Sequence, residues 1–242
     1  MDKSCEDNAV IFDMDGVLVN SMWAHCVSWL PIAEMLGISI TKDEVMSFSG
    51  STPRRIINDL VQPRLSYQLE EDKIQEIEEI KEGAYRDALF GRKPFPVMEG
   101  VIPLIESLHE HGIAMAVGSS SLKEGVDHVI ELMQIGQYMG CSVNGEDVMN
   151  DGTKVRSKPA PDIFLLAAQR LGREPQNCLV IEDAKVGVEA AKTAGMKCLA
   201  FCSDGHTEDQ YKGGKYEADA IIYPPFDDNA LQLILKLLKT PS

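Results

Sequence analysis

The feature that most constrains this chain is an apolar run near its start that ends in two aspartates and a glycine. The run covers residues 9–12, and Asp13, Asp15 and Gly16 follow it. Four consecutive apolar residues favour a strand buried on both faces, because a half-exposed strand alternates polar and apolar residues. The two aspartates would point to the same side at the carboxyl end of this strand, where open α/β sheets bind ligands. The alternative is an Asp-Gly hairpin turn that carries a solvated acidic pair.

Three further stretches each supply a group that an aspartate nucleophile needs. One is an apolar run that ends in hydroxyl groups, one presents a lysine before a predicted helix, and one is an apolar run that ends in paired carboxylates. They are residues 113–121, with Ser119, Ser120 and Ser121; residues 157–162, with Lys158; and residues 178–183, with Glu182 and Asp183. Taken singly, the serines and the carboxylates could cap helices, and the lysine could lie in a surface loop. Their order along one chain favours a shared site.

The order of the predicted elements indicates two domains. From residue 96 onward, strands and helices alternate, which predicts a parallel sheet with right-handed crossovers. Strands are expected at 113–118, 139–143, 178–182, 197–201 and 220–223, and helices at 103–112, 122–133, 161–171, 187–194 and 229–238. Residues 22–95 carry only helical patterns. We therefore expect a helical domain, 22–95, inserted into an α/β domain, 1–21 and 96–242.

Within the insert, the pattern predicts a helix over 21–36 that Pro31 kinks or divides. Thr41 and Glu44 have the spacing of a capping box, which opens a helix. A long helix is expected over 69–89, and its run of acidic residues is interpreted as a solvated face.

Together, the four stretches resemble the signature motifs of the haloacid dehalogenase superfamily. The resemblance spans nearly the whole chain and is closest to the branch that holds β-phosphoglucomutase and bacterial sugar-phosphate phosphatases. It implies a doubly wound, Rossmann-like parallel-sheet core, with a small helical cap domain inserted after the first strand. It also implies a Mg²⁺-dependent phosphohydrolase.

A carboxylate nucleophile divides the difficult attack on a phosphate ester into phosphoryl transfer to aspartate and hydrolysis of the acyl phosphate. By resemblance, Asp13 is the nucleophile and Asp15 is the general acid and base. Ser119 is expected to bind the phosphoryl group, assisted by the amide of Ser120, and Lys158 to neutralise charge between the phosphoryl group and Asp13.

Several carboxylates in one site repel one another, so a hard cation is needed, and Mg²⁺ prefers oxygen ligands. The resemblance implies that Asp13, the backbone carbonyl of Asp15, and Asp183 hold the ion, with Glu182 nearby or bound through water.

Three residues of the insert are further candidates for substrate binding. His25 and Lys81 stand where β-phosphoglucomutase carries a cap histidine and lysine, although lone residues of these types on helices are more often structural or solvated. The cap arginine of that family would fall on or beside Pro53, so either Arg54 replaces it or nothing does, and this stretch looks more like phosphatases that act on fructose 1-phosphate. Asn20, where the family usually has Asp, is a smaller departure. Substrate and reaction outcome therefore stay open.

The sequence favours a phosphatase of a small phosphorylated metabolite, such as a sugar phosphate. The alternatives are β-phosphoglucomutase-type phosphotransfer and hydrolysis of inorganic pyrophosphate, while the intact set of motifs argues against a non-catalytic binding protein.

A net charge of −15 disfavours nucleic acid and anionic membranes as partners. The start of the chain has no signal-peptide pattern, and the six cysteines lack metal-ligand spacing, so we expect reduced thiols in a cytoplasmic protein. The oligomeric state is open, and a monomer is compatible with the sequence.

Overall fold

The structure is a computed structural model that describes residues 7–203, 206–213 and 216–240. The chain divides into two compact units. One is Asn20–Pro96, and the other consists of the described residues of Met1–Val19 and Val97–Ser242. We call them the insert unit and the core unit.

The core unit contains a six-stranded parallel sheet in the order β3-β2-β1-β4-β5-β6. Its strands are β1 (Ala9–Phe12), β2 (Ala114–Gly118), β3 (Cys141–Val143), β4 (Cys178–Glu182), β5 (Lys197–Phe201) and β6 (Ala220–Ile222). The predicted strands and the doubly wound, Rossmann-like fold class are confirmed. Strand order reverses between β1 and β4, and sheets of this kind bind ligands outside the carboxyl ends of strands at such a switch point.

The insert unit consists of helices around a small apolar core. They are α1 (Met22–Ser28), α2 (Leu30–Leu36), α3 (Lys42–Met46), α4 (Pro53–Ile56) and α5 (Glu71–Gly91), with a π-helical turn at Ile57–Val61 and a 3₁₀ turn at Gln62–Arg64. The predicted division near Pro31 is confirmed, because a helix cannot continue its hydrogen bonds through a residue that lacks an amide hydrogen. The capping box is also confirmed: the Glu44 amide donates to Thr41 Oγ1 at 3.3 Å, and the Thr41 amide donates to Glu44 Oε2 at 2.8 Å.

The described residues of the core unit also form five α-helices: α6 (Val101–Glu110), α7 (Lys123–Leu132), α8 (Asp162–Leu171), α9 (Lys185–Thr193) and α10 (Asp228–Lys239). Ala9 and Ile11 of β1 pack in one apolar cluster with α8 and α9. Val10 and Phe12 are equally buried, and alternation along the strand directs them to the opposite face. Because both faces are covered, β1 carries no polar residue, as its sequence predicts.

Among the described residues, no helix combines the length and apolar character that crossing a membrane requires. The cysteines of the described part of the chain are unpaired: Cys26, Cys141, Cys178, Cys198 and Cys202. Cys5 lies outside the described residues. The predicted cytoplasmic location stays a prediction.

Candidate active site

The carboxylates predicted to share a site lie at the switch point of the sheet. Asp13 directly follows β1, and its amide donates to the Ile181 carbonyl of β4 at 2.9 Å. Glu182 is the last residue of β4, and Asp183 comes next. Parallel pairing of β1 with β4 therefore brings Asp13 close to Glu182 and Asp183, which are far from it in the sequence.

Lys158 joins this group from the loop before α8. Its Nζ lies 2.6 Å from Asp13 Oδ1 and 2.6 Å from Glu182 Oε1, and its side chain is 2% exposed. Arg156 and Asp162 anchor the loop on either side, since the Arg156 amide donates to Asp162 Oδ2 at 2.9 Å and Nη2 donates to Oδ1 at 2.8 Å. The lysine therefore reaches the carboxylates from a fixed piece of backbone.

Two glycines make room for these carboxylates. A Cβ atom on Gly16, whose φ is +80°, would lie 1.9 Å from Asp183 Oδ2. A Cβ atom on Gly187, in the first turn of α9, would lie 1.8 Å from Glu182 Oε1. No side chain fits at either position without moving a carboxylate of the cluster.

Burial and mutual repulsion make this cluster electrostatically costly. Burial raises the pKa of Asp13 to about 7, although Lys158 acts in the opposite direction. Burial, followed by the charges of Glu182 and Asp13, raises the pKa of Asp183 well above its usual range. Burial alone would lower the pKa of Lys158, but the carboxylates of Asp13 and Glu182 raise it instead, so the lysine stays charged. One ammonium group thus faces three carboxylates.

The residues fit a hard divalent cation. Asp13, Glu182 and Asp183 each offer one oxygen, and these oxygens lie within 4.8 Å of one another. Asp183 Oδ2 is buried and has no hydrogen-bond partner among the described residues. An all-oxygen ligand set with unbalanced negative charge suits Mg²⁺. The acidic cluster is therefore able to bind a metal.

The serines after β2 follow the strand that pairs with β1 on the side opposite to β4. The Ser119 amide donates to the Val143 carbonyl at 3.0 Å, and Ser119 Oγ accepts a hydrogen bond from the Ser121 amide at 3.1 Å. Ser120 Oγ is buried without a hydrogen-bond partner in the part of the chain that the structure describes. Ser121 Oγ donates to Asp15 Oδ2 at 2.9 Å. The sequence prediction assigned no role to Ser121, although it stands in the same run of serines.

Two residues that sequence reasoning missed surround Asp183. Tyr211 Oη donates to the Asp183 backbone carbonyl, and burial raises the pKa of Tyr211. His206 Nδ1 lies 3.7 Å from Asp183 Oδ2, its side chain is 2% exposed, and burial lowers its pKa. Neither ring nitrogen of His206 has a hydrogen-bond partner among the described residues. Both residues come from an irregular segment without any periodic pattern that would reveal them.

In the insert unit, the structure brings His25 and Lys81 together. Lys81 Nζ lies 3.4 Å from His25 Nδ1, 2.9 Å from Glu82 Oε1 and 4.8 Å from the centre of the Tyr85 ring. The rings of His25 and Tyr85 stack at a centroid distance of 4.3 Å. An ammonium group only donates hydrogen bonds, so Lys81 Nζ can only be the donor in this contact.

Arg54 lies in a different ion-pair network of the insert unit. Its Nε and Nη2 donate to Glu78 at 3.1 and 2.8 Å, and its Nη1 donates to Glu71 at 2.6 Å. Both glutamates belong to the acidic run that the sequence analysis interprets as a solvated face. Most of the guanidinium's hydrogen-bonding capacity is therefore already used within the insert unit.

The profile of the haloacid dehalogenase-like hydrolase family matches residues 10–201. The chain belongs to this family. It is 29% identical to a fructose-1-phosphate phosphatase of Escherichia coli (strain K12) over 78% of this chain and 94% of that protein. It is also 29% identical to a β-phosphoglucomutase of Bacillus subtilis (strain 168) over 78% of this chain and 80% of that protein.

Solved structures show the same fold. A crystal structure of β-phosphoglucomutase from Clostridium difficile superimposes with a TM-score of 0.78, covers 96% of each chain and is 22% identical in sequence. Relatives of this hydrolase family thus include phosphatases and mutases, which is consistent with the prediction of a phosphohydrolase.

Proposed function

We propose that this hydrolase is a Mg²⁺-dependent phosphatase of a small phosphorylated metabolite of the sugar-phosphate class. The observation that carries this proposal is the buried cluster of Asp13, Lys158, Glu182 and Asp183 at the switch point of the sheet. The likeness to a fructose-1-phosphate phosphatase supports the class of substrate.

In the proposed reaction, Asp13 attacks the phosphorus atom, and the bond from phosphorus to the sugar oxygen breaks. Asp15 gives its proton to that leaving oxygen. Water then attacks the aspartyl phosphate while Asp15 takes a proton from it, so inorganic phosphate leaves and Asp13 is restored. Ser119 and the amide of Ser120 bind the phosphoryl oxygens, and Lys158 offsets the charge that develops between the phosphoryl group and Asp13.

The proposed ligands of Mg²⁺ are Asp13, the Asp15 carbonyl and Asp183, with Glu182 bound directly or through water. When bound, the ion would neutralise the carboxylates and the phosphoryl oxygens, so that an anionic nucleophile can approach an anionic ester. We further propose that the insert unit acts as a cap that recognises the part of the substrate that leaves.

Arg54 supports a phosphatase over a mutase. Transfer of the phosphoryl group to a second hydroxyl of a sugar passes through a bisphosphate, which requires a second anion site. Arg54 is the candidate for that site, and Glu71 and Glu78 already accept hydrogen bonds from three of its five N–H groups. A second phosphate would have to compete with two carboxylates for it.

The contact between His25 and Lys81 favours the second candidate function, phosphotransfer of the β-phosphoglucomutase type. These residues resemble the cap histidine and lysine of that enzyme, and they contact each other at 3.4 Å. In a phosphatase, the same pair would serve substrate recognition alone.

A substrate panel with Mg²⁺ tests both functions. Phosphate release is measured from hexose phosphates, pentose phosphates, phosphogluconate and pyrophosphate, alongside conversion of β-glucose 1-phosphate to glucose 6-phosphate. We expect phosphate release from a sugar phosphate. Isomer conversion without phosphate release would establish the mutase instead.

An Asp13→Asn variant tests the mechanism. It keeps the shape of the side chain and removes the nucleophile, so turnover should be abolished while the circular dichroism spectrum is unchanged. Wild-type activity in this variant would exclude Asp13 as the nucleophile.

A further inference from the structure

Ser121 delivers its hydroxyl to Asp15 from a backbone that is held at two points. Its amide donates to Ser119 Oγ at 3.1 Å, and its carbonyl accepts from the Gly145 amide at 2.9 Å. Gly145 packs so closely that a Cβ atom there would lie 2.5 Å from the Ser120 carbonyl oxygen. The 2.9 Å contact from Ser121 Oγ to Asp15 Oδ2 therefore starts from a defined position.

We propose that Ser121 is a positioning residue that fixes the orientation of the Asp15 carboxyl group for proton exchange. This inference rests on the proposed role of Asp15 as general acid and base. An acid or base acts only within hydrogen-bond reach of the atom that gains or loses the proton, so rotation of the carboxyl group away from that atom removes its effect. A hydrogen bond from a fixed donor opposes that rotation.

The chemistry of the donor suits a group that changes protonation state in each turnover. A hydroxyl group both donates and accepts hydrogen bonds. Ser121 donates to Asp15 when it is a carboxylate, and it can donate to or accept from the carboxyl group when it is protonated. A lysine or arginine here would favour the carboxylate alone. Ser121 is therefore able to hydrogen-bond to Asp15 both when Asp15 protonates the leaving oxygen and when it takes a proton from the attacking water.

The test uses aryl phosphates that range from p-nitrophenyl phosphate to phenyl phosphate. A good leaving group needs little protonation, whereas phenolate depends more on the acid. In Ser121→Ala, kcat/KM should fall about tenfold more for phenyl phosphate than for p-nitrophenyl phosphate, which corresponds to about 1.4 kcal/mol. Ser121→Thr keeps the hydroxyl and should retain the wild-type dependence on the leaving group. A loss of folding or of phosphate binding would lower kcat/KM equally for the two aryl phosphates.

Variants of Asp15 separate this inference from the function on which it rests. If Ser121 acts through Asp15, the Ser121→Ala change should have little further effect in an Asp15→Asn background. An equal loss on both esters, or the same loss in the Asp15→Asn background, would overturn the positioning role while the phosphatase mechanism stands. If Asp15→Asn itself keeps the wild-type dependence on the leaving group, Asp15 is not the general acid. The proposed role of Asp15 and the positioning role of Ser121 then both fall.

Discussion

Gly16 faces Asp183 so closely that a Cβ atom on Gly16 would lie 1.9 Å from Asp183 Oδ2. The φ of +80° at Gly16 also disfavours any side chain, by about 1–2 kcal/mol. In Gly16→Ala, we expect the Asp183 carboxylate to be displaced, because backbone cannot yield as easily as a side chain. Stabilisation of the protein by Mg²⁺, measured as a shift in Tm, should be strongly reduced, and phosphatase activity should fall by more than tenfold.

Gly195→Ala is the matched control for this prediction. Gly195 has a φ of +76° in the same unit, but a Cβ atom there would meet nothing within 4 Å. The Gly195→Ala substitution therefore introduces a similar backbone strain without a contact to Asp183. Equal effects of the two substitutions on the Mg²⁺ response would show that the packing of Gly16 against Asp183 is unimportant for metal binding.

Lys158 is the one cation within hydrogen-bond distance of Asp13 and Glu182 among the described residues. Its replacement by Met leaves buried carboxylates without a counter-charge, which typically costs about 3–5 kcal/mol. We expect a loss of this size in the free energy of unfolding, measured with urea in EDTA at about pH 8, which lies above the Asp13 pKa of about 7. Mg²⁺ should recover part of the loss, but activity should stay low because the lysine also offsets charge on the phosphoryl group.

Lys192→Met serves as the comparison. Lys192 pairs with Asp219 at 2.6 Å, and both side chains are partly exposed, so this ion pair should contribute little to stability. If Lys158→Met cost no more than Lys192→Met in EDTA, the charge balance that we describe for the buried cluster would be wrong.

The sequence predicts the carboxylate cluster because parallel strands align their carboxyl ends. Asp13, Glu182 and Asp183 each follow a buried apolar run, and neighbouring runs in one sheet must bring such residues to the same edge. Lys158 is predictable only through family resemblance, since its loop has no periodicity and its contact depends on the anchor between Arg156 and Asp162.

The contacts that sequence reasoning missed depend on local three-dimensional geometry. Ser121 is separated from Asp15 by 106 positions, and no pattern shows which of three adjacent serines faces the carboxylate. Arg54 finds its partners on α5 because the two helices pack together in the insert unit, and a sequence of alternating charges does not specify that pairing. Tyr211 contacts Asp183 from an irregular segment, where side-chain directions follow no fixed period.

Replacement of Gly187 by alanine should destabilise the protein, whereas the same replacement at an ordinary helical position stabilises it. Replacement of a helical glycine by alanine usually stabilises a protein by about 0.5–1 kcal/mol. In Gly187→Ala, the new Cβ would lie 1.8 Å from Glu182 Oε1, the oxygen that accepts from Lys158. We therefore expect a lower Tm and lower activity. Gly125→Ala in α7 meets nothing within 4 Å and should follow the ordinary rule, with a slightly raised Tm. A rise in Tm for both variants would contradict the close packing of Gly187 against Glu182.

Mg²⁺ binding should strengthen as the pH rises through about 7, because burial raises the pKa of Asp13 to about 7 and that of Asp183 well above its usual range. A metal ligand must be deprotonated, so below this pH each competing proton should weaken binding by about tenfold per pH unit.

Without Mg²⁺, in EDTA, the stability of the protein should change with pH in the opposite direction to its Mg²⁺ affinity. Between about pH 4 and 7, Asp13 and Asp183 bind more protons in the folded protein than in the unfolded chain, so their contribution to its stability should fall as the pH rises. Isothermal titration with Mg²⁺ and urea unfolding in EDTA measure the two trends. Asp13→Asn removes one of the titrating groups and should flatten both. Mg²⁺ affinity that is independent of pH over this range would show that the carboxylates are already ionised without the ion.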